Sequence, residues 1–373
     1  MAELTNYEDY ENAQHTSTLK ETDRKCPECG GTMDFDPATG GLHCPYCDHT
    51  EEIPNGGTET TGPQRAQELD FASAELTGNC DWGVAQKTVT CKMCGATTVY
   101  DALQVANECP YCGSNQVMEA NDVTTLAPNG VVPFRITVQQ AGERFRAWLG
   151  HKWFCPKAAK ESAKADKFQG LYLPYWTFDA DTDTTYTAQY GINRKVKQGN
   201  EEKTVTDWHN TSGRYQHFIN DELVLASNHH NSQVLSMVEP FDTEDNLAYK
   251  PEYIAGYAAE RYSIGLKDAF EKAKQFIRNR LAGLIESKIR SDHRADAVRN
   301  LQMQTSYANI TYKYLMLPVY ISSFTYNGKV YQFMVNGQSG KVGGHSPVSA
   351  LRVMLAIAIG LIILILLYKM FGG

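Results

Sequence analysis

Eight of the ten cysteines in this chain form two copies of one pattern, two C-x2-C motifs separated by fourteen residues. The first copy consists of Cys26, Cys29, Cys44 and Cys47, and the second of Cys91, Cys94, Cys109 and Cys112. Two residues between thiolates allow one tight turn to direct both sulfurs at the same metal ion, and the connecting length is close to that of a zinc ribbon. The pattern therefore predicts two structural Zn²⁺ ions, each with four cysteine ligands.

The two copies also share the residues around their cysteines. Cys-Gly stands at 29–30 and at 94–95, and Cys-Pro-Tyr-Cys stands at 44–47 and at 109–112. Glycine after the second cysteine allows the backbone to adopt a positive φ. Disulfides would require an oxidising compartment, whereas residues 1–13 are acidic and lack an apolar signal core. We therefore expect reduced, metal-bound cysteines in the cytosol.

Four thiolates complete a tetrahedral shell and leave no position for water or substrate, so we expect structural rather than catalytic zinc. The chain contains no G-x-S-x-G or H-E-x-x-H signature. Residues 337–341 match a phosphate-binding loop only in part, because Val335 and Val342 replace its first glycine and its serine or threonine. The sequence predicts no enzymatic activity and no catalytic residues.

The C-terminal segment Val353–Tyr368 is uncharged and almost wholly apolar. As a helix it would cover about 24 Å, and snorkelling of Arg352 and Lys369 would extend the spanning stretch to 348–371. A core helix of a soluble domain would show a polar stripe, which this segment lacks. We predict a single-pass anchor in the inner (plasma) membrane, and the cytosolic cysteines place the bulk of the chain in the cytoplasm.

With 373 residues the chain has room for two or three domains. The predicted fold class is α+β, with two small four-cysteine zinc ribbons, a domain with antiparallel strands and one transmembrane helix. The predicted parts are a flexible lead (1–24), zinc ribbon 1 (25–52), a linker with a short helix (53–87), zinc ribbon 2 (88–118), an α+β domain (128–345) and a transmembrane anchor (348–371).

Local patterns predict the elements of the α+β domain. Thr137 is a candidate N-cap of a helix, and alternating residues from Leu171 to Tyr190 predict a strand. A helical block is expected over 251–289, and Asn327-Gly328 between alternating runs predicts a hairpin.

An internal similarity links two stretches of this domain. The matching positions are Leu171, Leu173, Pro174 and Trp176 in the first stretch and Leu315, Leu317, Pro318 and Tyr320 in the second. Either the domain consists of two related helix–strand–hairpin halves, or the similarity is a coincidence.

Charge argues against nucleic acid as a partner. The net charge is −8, and the predicted ribbons carry more acidic than basic residues. The helix expected over 266–290 is the basic exception, with six Lys or Arg against the single acid Glu286 between Lys272 and Arg290. It is either a solvated face on an inward-packed helix or a surface for anionic lipid or an acidic partner.

Several segments together resemble one bacterial family, the TFIIB-type zinc-ribbon membrane proteins of the YdjG type, often mislabelled as primosomal helicases although no helicase motif is present. The resemblance covers about residues 25–373 and is carried by the paired cysteine patterns, the C-terminal apolar helix, Val132-Pro133-Phe134 and the runs at 148–156, 170–179 and 335–342. It implies a membrane-associated partner of SPFH (flotillin-like) and phage-shock-type proteins in envelope stress, and it implies no catalytic residues.

Two functional hypotheses follow from the sequence. The first is a non-catalytic, membrane-anchored adaptor that faces the cytosol and binds partner proteins through its zinc ribbons and α+β domain. The alternative is a membrane-tethered, nucleic-acid-associated zinc-ribbon protein related to replication or transcription.

Overall fold

The structure is a computed structural model that describes residues 24–53, 64–74, 86–92, 97–101, 117–119, 126–162, 168–198, 201–228 and 232–371. The strands are β1 (Asp34–Asp36), β2 (Gly41–His43), β3 (Thr50–Glu51), β4 (Leu69–Asp70), β5 (Gln86–Cys91), β6 (Thr97–Asp101), β7 (Val117–Glu119), β8 (Gly130–Val131), β9 (Gln169–Gln198), β10 (Glu201–Leu225), β11 (Leu247–Ala248), β12 (Ala258–Glu260), β13 (Ala297–Tyr326), β14 (Lys329–Asn336) and β15 (Val342–Gly344). The α-helices are α1 (Val138–Gly150), α2 (Lys157–Ser162), α3 (Ser232–Val238), α4 (Leu266–His293) and α5 (Ala350–Phe371), and Thr243–Asp245 and Pro251–Ile254 form 3₁₀ turns.

Three very long antiparallel strands dominate the molecule. β9 and β13 each have 30 residues and β10 has 25, in the order β10-β9-β13, and β14 and β15 extend the sheet beyond β13. At about 3.3 Å per residue, each 30-residue strand is about 100 Å long. We call this three-stranded unit the long ribbon. The fold is therefore mixed α+β with antiparallel sheets, as the sequence predicted.

Burial divides the long ribbon into a base and an outer part. Every residue of β9 from Leu171 to Ala180 is buried, so both faces of the base are covered. Beyond Ala180 the buried positions alternate with more exposed ones as far as Ala188, because only one face packs against α4. The main hydrophobic core accordingly lies at the base.

Bulges occur where asparagine or aspartate adopts a positive φ. The pairing register shifts beside Asp221 in β10 and beside Asn300 and Asn309 in β13, and their φ angles are 49°, 54° and 50°. Asn and Asp tolerate this conformation better than other non-glycine residues. These residues therefore allow strands of this length to bend and twist.

Helix α4 is a 28-residue amphipathic helix that packs along the long ribbon, with Phe270 beside Phe178 near its start and His293 beside Tyr190 at its end. Its buried side chains recur at about every fourth position and are Ala269, Phe270, Ala273, Ile277, Leu281, Ile285 and Ile289. The prediction of a helical block starting at residue 251 was wrong at its N-terminal end. Gly256, with a φ of 79°, follows the 3₁₀ turn, and strand β12 intervenes before α4 begins at Leu266 after its N-cap Gly265.

The two similar stretches of sequence pair with each other. Leu173 of β9 lies opposite Leu317 of β13, and the strands are antiparallel around this pair. Each long strand also has a short parallel neighbour, β12 beside β9 and β8 beside β13. The two stretches thus occupy corresponding places on either side of the centre of the sheet.

Local signals for two elements agree with the structure. Thr137 caps α1 in a capping box, because its hydroxyl accepts from the amide of Gln140 and the Gln140 side chain accepts from the amide of Thr137. Asn327 and Gly328, with φ angles of 51° and 73°, join β13 to β14 in a tight hairpin.

Candidate metal centre

The four cysteines of the first sequence pattern converge in the structure. The sulfurs of Cys26 and Cys47 are 3.5 Å apart, as are those of Cys29 and Cys44. All four sulfurs lie within 4.8 Å of one another. Sulfurs around a tetrahedral ion with bonds of about 2.3 Å are about 3.8 Å apart, whereas a disulfide bond is about 2.05 Å long. The cluster is therefore a group of thiols that can hold one metal ion.

Two similar turns bring these cysteines together. The amide of Gly30 donates to the carbonyl of Cys26 at 2.8 Å, and the amide of Asp48 donates to the carbonyl of Cys44 at 3.0 Å. Gly30 and Asp48 have positive φ angles of 73° and 59°. The expected role of glycine after the second cysteine is confirmed at Gly30, and Asp48 takes the equivalent place in the second turn.

The thiols perturb one another's titration. The pKa of Cys44 is lowered to about 7: burial acts most strongly to raise it, but the amides of Tyr46 and Cys47 stabilise the thiolate. The amide of His49 is the largest single influence on Cys47 and lowers its pKa. Burial and the neighbouring thiols together outweigh that amide and raise the pKa of Cys47 to about 12. Four thiolates so close together require a cation to ionise jointly, so the donor set fits a thiophilic metal ion.

The segment that holds these cysteines, residues 24–53, packs against the rest of the fold, and we call it the cysteine module. The ring of Phe35 meets that of Tyr253 edge-on with centroids 6.0 Å apart, and the Phe35 amide donates to the carbonyl of Ala255 at 3.1 Å. Gly256 is required here, because a Cβ atom at this position would lie 2.7 Å from the side chain of Asp34. The cysteine module is thus part of the main hydrophobic core.

The second predicted metal site falls largely outside the described residues. Cys91, at the end of β5, is buried, whereas Cys94, Cys109 and Cys112 lie in segments that the structure does not describe. β5 pairs with both β6 and β7, and β6 pairs with β12. The described part of the second pattern is therefore connected to the large sheet.

A second group of possible ligands already surrounds a cation. Carboxylate oxygens of Glu68, Asp179 and Asp221 lie within 4.8 Å of one another. The Lys313 ammonium group bonds to Glu68 and lies 2.6 Å from an Asp221 oxygen. Sequence reasoning missed this cluster because its members come from four distant segments. We interpret it as a partly buried ion-pair network, with Glu68 at its exposed edge, in which lysine supplies the positive charge.

The predicted anchor is a regular helix. α5 covers 22 residues, and the segment Ala350–Met370 has a mean hydropathy of 2.9. None of the most apolar part of this helix is buried in the fold. Within the described residues it is the one helix long and apolar enough to cross a membrane. At about 1.5 Å per residue its 22 residues extend about 33 Å, close to the hydrocarbon thickness of a bilayer.

The described residues define a mixed α+β protein with a four-cysteine cluster and an apolar C-terminal helix. A relative from Bacillus subtilis (strain 168), Uncharacterized protein YdjG, is 28% identical over 338 residues, which cover 88% of this chain and 91% of the relative. No family model and no solved structure matches the chain. The chain is thus similar to YdjG along most of its length.

Proposed function

We propose that this chain is a YdjG-type zinc-ribbon protein: a non-catalytic adaptor, anchored in the inner membrane by α5, that binds partner proteins in the cytosol. The observation that carries the proposal is the four-cysteine cluster, which can hold a metal ion and shares a chain with a helix of membrane-spanning length. The proposed metal is zinc, and the matched second pattern holds a second zinc ion.

An exposed aromatic ring supports a protein partner. Tyr46 lies between two metal-ligating cysteines and is 75% exposed, although it is one of the larger hydrophobic side chains of the chain. The rigid turn of a metal-bound knuckle holds this ring outward at little entropic cost, and tyrosine is enriched at interface hot spots. The repeated Pro-Tyr at 110–111 gives the second ribbon the same residue.

The proposed partners are proteins of the SPFH or phage-shock type in the response to membrane stress. The resemblance of the chain supports this class, and the reducing cytosol required by free thiolates supports the proposed orientation. Acidic residues in the cysteine module, among them Glu28, Glu51 and Glu52, oppose nucleic acid as the partner.

Capture from detergent-solubilised membranes tests the proposal. Full-length protein with Tyr46→Ser should retain its zinc and lose most of the SPFH or phage-shock-type protein captured by the wild type. Phe218→Ser is the matched control, because Phe218 is also exposed (54%) but lies on β10, away from the cysteines. Equal capture by all three proteins would contradict a role for Tyr46.

A second pair of variants tests whether a zinc ribbon or the basic helix α4 binds the partner protein. Cys91→Ser with Cys94→Ser should abolish capture if the second ribbon binds the partner, because a ribbon without metal loses most of its folding free energy. Lys272→Gln with Arg278→Gln tests α4 and leaves Arg280 in place, since that side chain pairs with the buried Glu222 at 2.7 Å. Salt-sensitive loss of capture in the latter variant would favour the helix.

The nucleic-acid alternative predicts a different result. Full-length protein in detergent should then bind DNA with an affinity that falls steeply as salt rises. Such binding, lost in the cysteine variants and independent of Tyr46, would replace the adaptor proposal.

A further inference from the structure

Two exposed aromatic side chains lie in the turn between α1 and α2. Trp153 is 53% exposed and Phe154 is 40% exposed, and their ring centroids are 5.1 Å apart. Large aromatic side chains are normally covered, and an exposed pair marks a surface that meets another phase or molecule. We call residues 151–155 the aromatic turn.

Hydrogen bonds fix the aromatic turn to the start of the apolar helix. Nη1 of Arg352, in the first turn of α5, donates to the carbonyl oxygens of Trp153 at 2.6 Å and Cys155 at 2.7 Å. The amide of Ser349 donates to the carbonyl of Phe154 at 2.9 Å. These bonds join segments almost two hundred positions apart in the sequence, so the aromatic turn and the first turn of α5 lie at the same level.

The length of α5 determines the depth of its first turn relative to the bilayer. A helix of about 33 Å matches the hydrocarbon slab of about 30 Å, so its first turn must lie at one membrane–water interface. Tryptophan is enriched at this interface, where the ring is among the acyl chains and its N–H reaches the headgroups. The aromatic turn, bonded to the first turn of α5, is therefore at headgroup depth.

Charge around the aromatic turn suits anionic headgroups. The ammonium group of Lys152 lies 4.6 Å from the centre of the Trp148 ring, and Lys160 donates to the carbonyl of Gly150 at 2.8 Å. Both lysines and Arg352 thus lie within the same small region. Basic residues close to a membrane are attracted by anionic lipid.

We propose that the aromatic turn is a second membrane contact, in which Trp153 and Phe154 insert at the lipid interface beside the anchor. This inference rests on the proposed insertion of α5 and adds a specific contact that sets the domain against the bilayer. The ligand is the lipid interface itself, with phosphatidylglycerol as the anionic headgroup used as the probe.

Quenching of tryptophan fluorescence by brominated lipid tests the contact in the full-length protein. The protein is reconstituted into vesicles of phosphatidylcholine and phosphatidylglycerol that carry bromine either near the headgroup or near the end of the acyl chain. Trp153→Phe should remove most of the quenching, and the lost quenching should be strongest with bromine near the headgroup. Trp208→Phe is the matched control, because Trp208 pairs with Gly191 on the outer part of the long ribbon and stacks on Arg299 at 3.8 Å.

Extraction with alkaline carbonate separates the two proposals. Protein that resists extraction and shows no difference in quenching between wild type and Trp153→Phe would overturn the aromatic-turn contact and leave the anchor intact. Equal loss of quenching in Trp153→Phe and Trp208→Phe would also contradict the aromatic-turn contact, because the outer part of the long ribbon would then lie on lipid as well. Release of the full-length protein by carbonate would overturn both the contact and the anchor.

Discussion

Lys313 on β13 and Asp221 at the bulge of β10 form an ion pair of 2.6 Å at the base of the long ribbon. Lys313 is only 5% exposed, and Glu68 and Asp179 bring two further carboxylates to the same place. Burial acts most strongly to lower the pKa of Lys313, but Asp221 and Glu68 outweigh it and raise the pKa above 10.5. The folded structure therefore stabilises the charged form of Lys313.

Asp221→Asn should lower the free energy of unfolding by roughly 2 kcal/mol, because the Lys313 ammonium group loses one of its two bonded carboxylates and retains Glu68. Asparagine tolerates the positive φ of 49° and can still accept from the Thr243 hydroxyl, so the change isolates the charge. Urea unfolding of the full-length protein in detergent, followed by tryptophan fluorescence, measures the effect. A loss below that of an ordinary surface substitution would show that the pair contributes little.

Asp179→Asn should have the opposite effect at neutral pH, with a gain of roughly 1 kcal/mol, because three carboxylates surround one ammonium group. The amide oxygen of asparagine can still accept from the amide of Asp221, which donates to Asp179 at 2.7 Å. Burial is the main cause that raises the pKa of Asp179 above its ordinary value of 3.8.

The raised pKa of Asp179 in the folded protein determines how the effect of Asp179→Asn depends on pH. A carboxyl group with a raised pKa in the folded state costs stability once it ionises, so the wild type loses stability relative to the Asp179→Asn variant as the pH rises from about 3.8 through the raised pKa. The difference between the two proteins should therefore vanish at pH values below that window. Because both proteins carry the same cysteines, any effect of acid on the four-cysteine cluster cancels. A difference that is constant with pH would contradict this interpretation.

Local signals in the sequence predicted local structure, but they could not predict contacts between segments that are distant in the sequence. The capping box at Thr137, the Asn327-Gly328 turn and the four cysteines each depend on residues close in sequence or repeated in a pattern. The salt-bridge network of Lys313 joins distant segments, and no periodicity marks it. The strand predicted from Leu171 to Tyr190 covers most of β9, whereas the length of β13 was hidden, because β13 contains bulges at Asn300 and Asn309 and asparagine alone gives a weak signal for a bulge.

Gly256→Ala should weaken the attachment of the cysteine module by roughly 2–3 kcal/mol, because alanine would combine an unfavourable φ with a clash against Asp34. Gly328→Ala is the matched control, since Gly328 has a similar φ of 73° with no atom within 4 Å of the new Cβ, and should cost only about 1 kcal/mol. Urea unfolding and the rate of metal loss to a chelator measure the difference. Equal effects in the two variants would show that the packing beside Asp34 is loose.

Deletion of residues 353–373 should move the protein from the membrane pellet to the soluble fraction without loss of the fold. The removed part of α5 is exposed, and the deletion keeps Arg352 with its bonds to the aromatic turn. Fractionation measures the location, and the urea transition followed by tryptophan fluorescence measures the fold. A folded, monodisperse truncated protein that still pellets would show that another element holds the membrane.

The metal content of the full-length protein tests the zinc-ribbon proposal most directly. Native mass spectrometry of protein released into detergent should find two zinc ions per chain, and Cys26→Ser with Cys29→Ser should leave one. Four thiolates at the observed spacing can hold a tetrahedral ion, and the second pattern repeats the cysteine spacing, the Cys-Gly pair and the Cys-Pro-Tyr-Cys turn of the first. Protein without bound metal, with disulfides among these cysteines instead, would contradict the proposal.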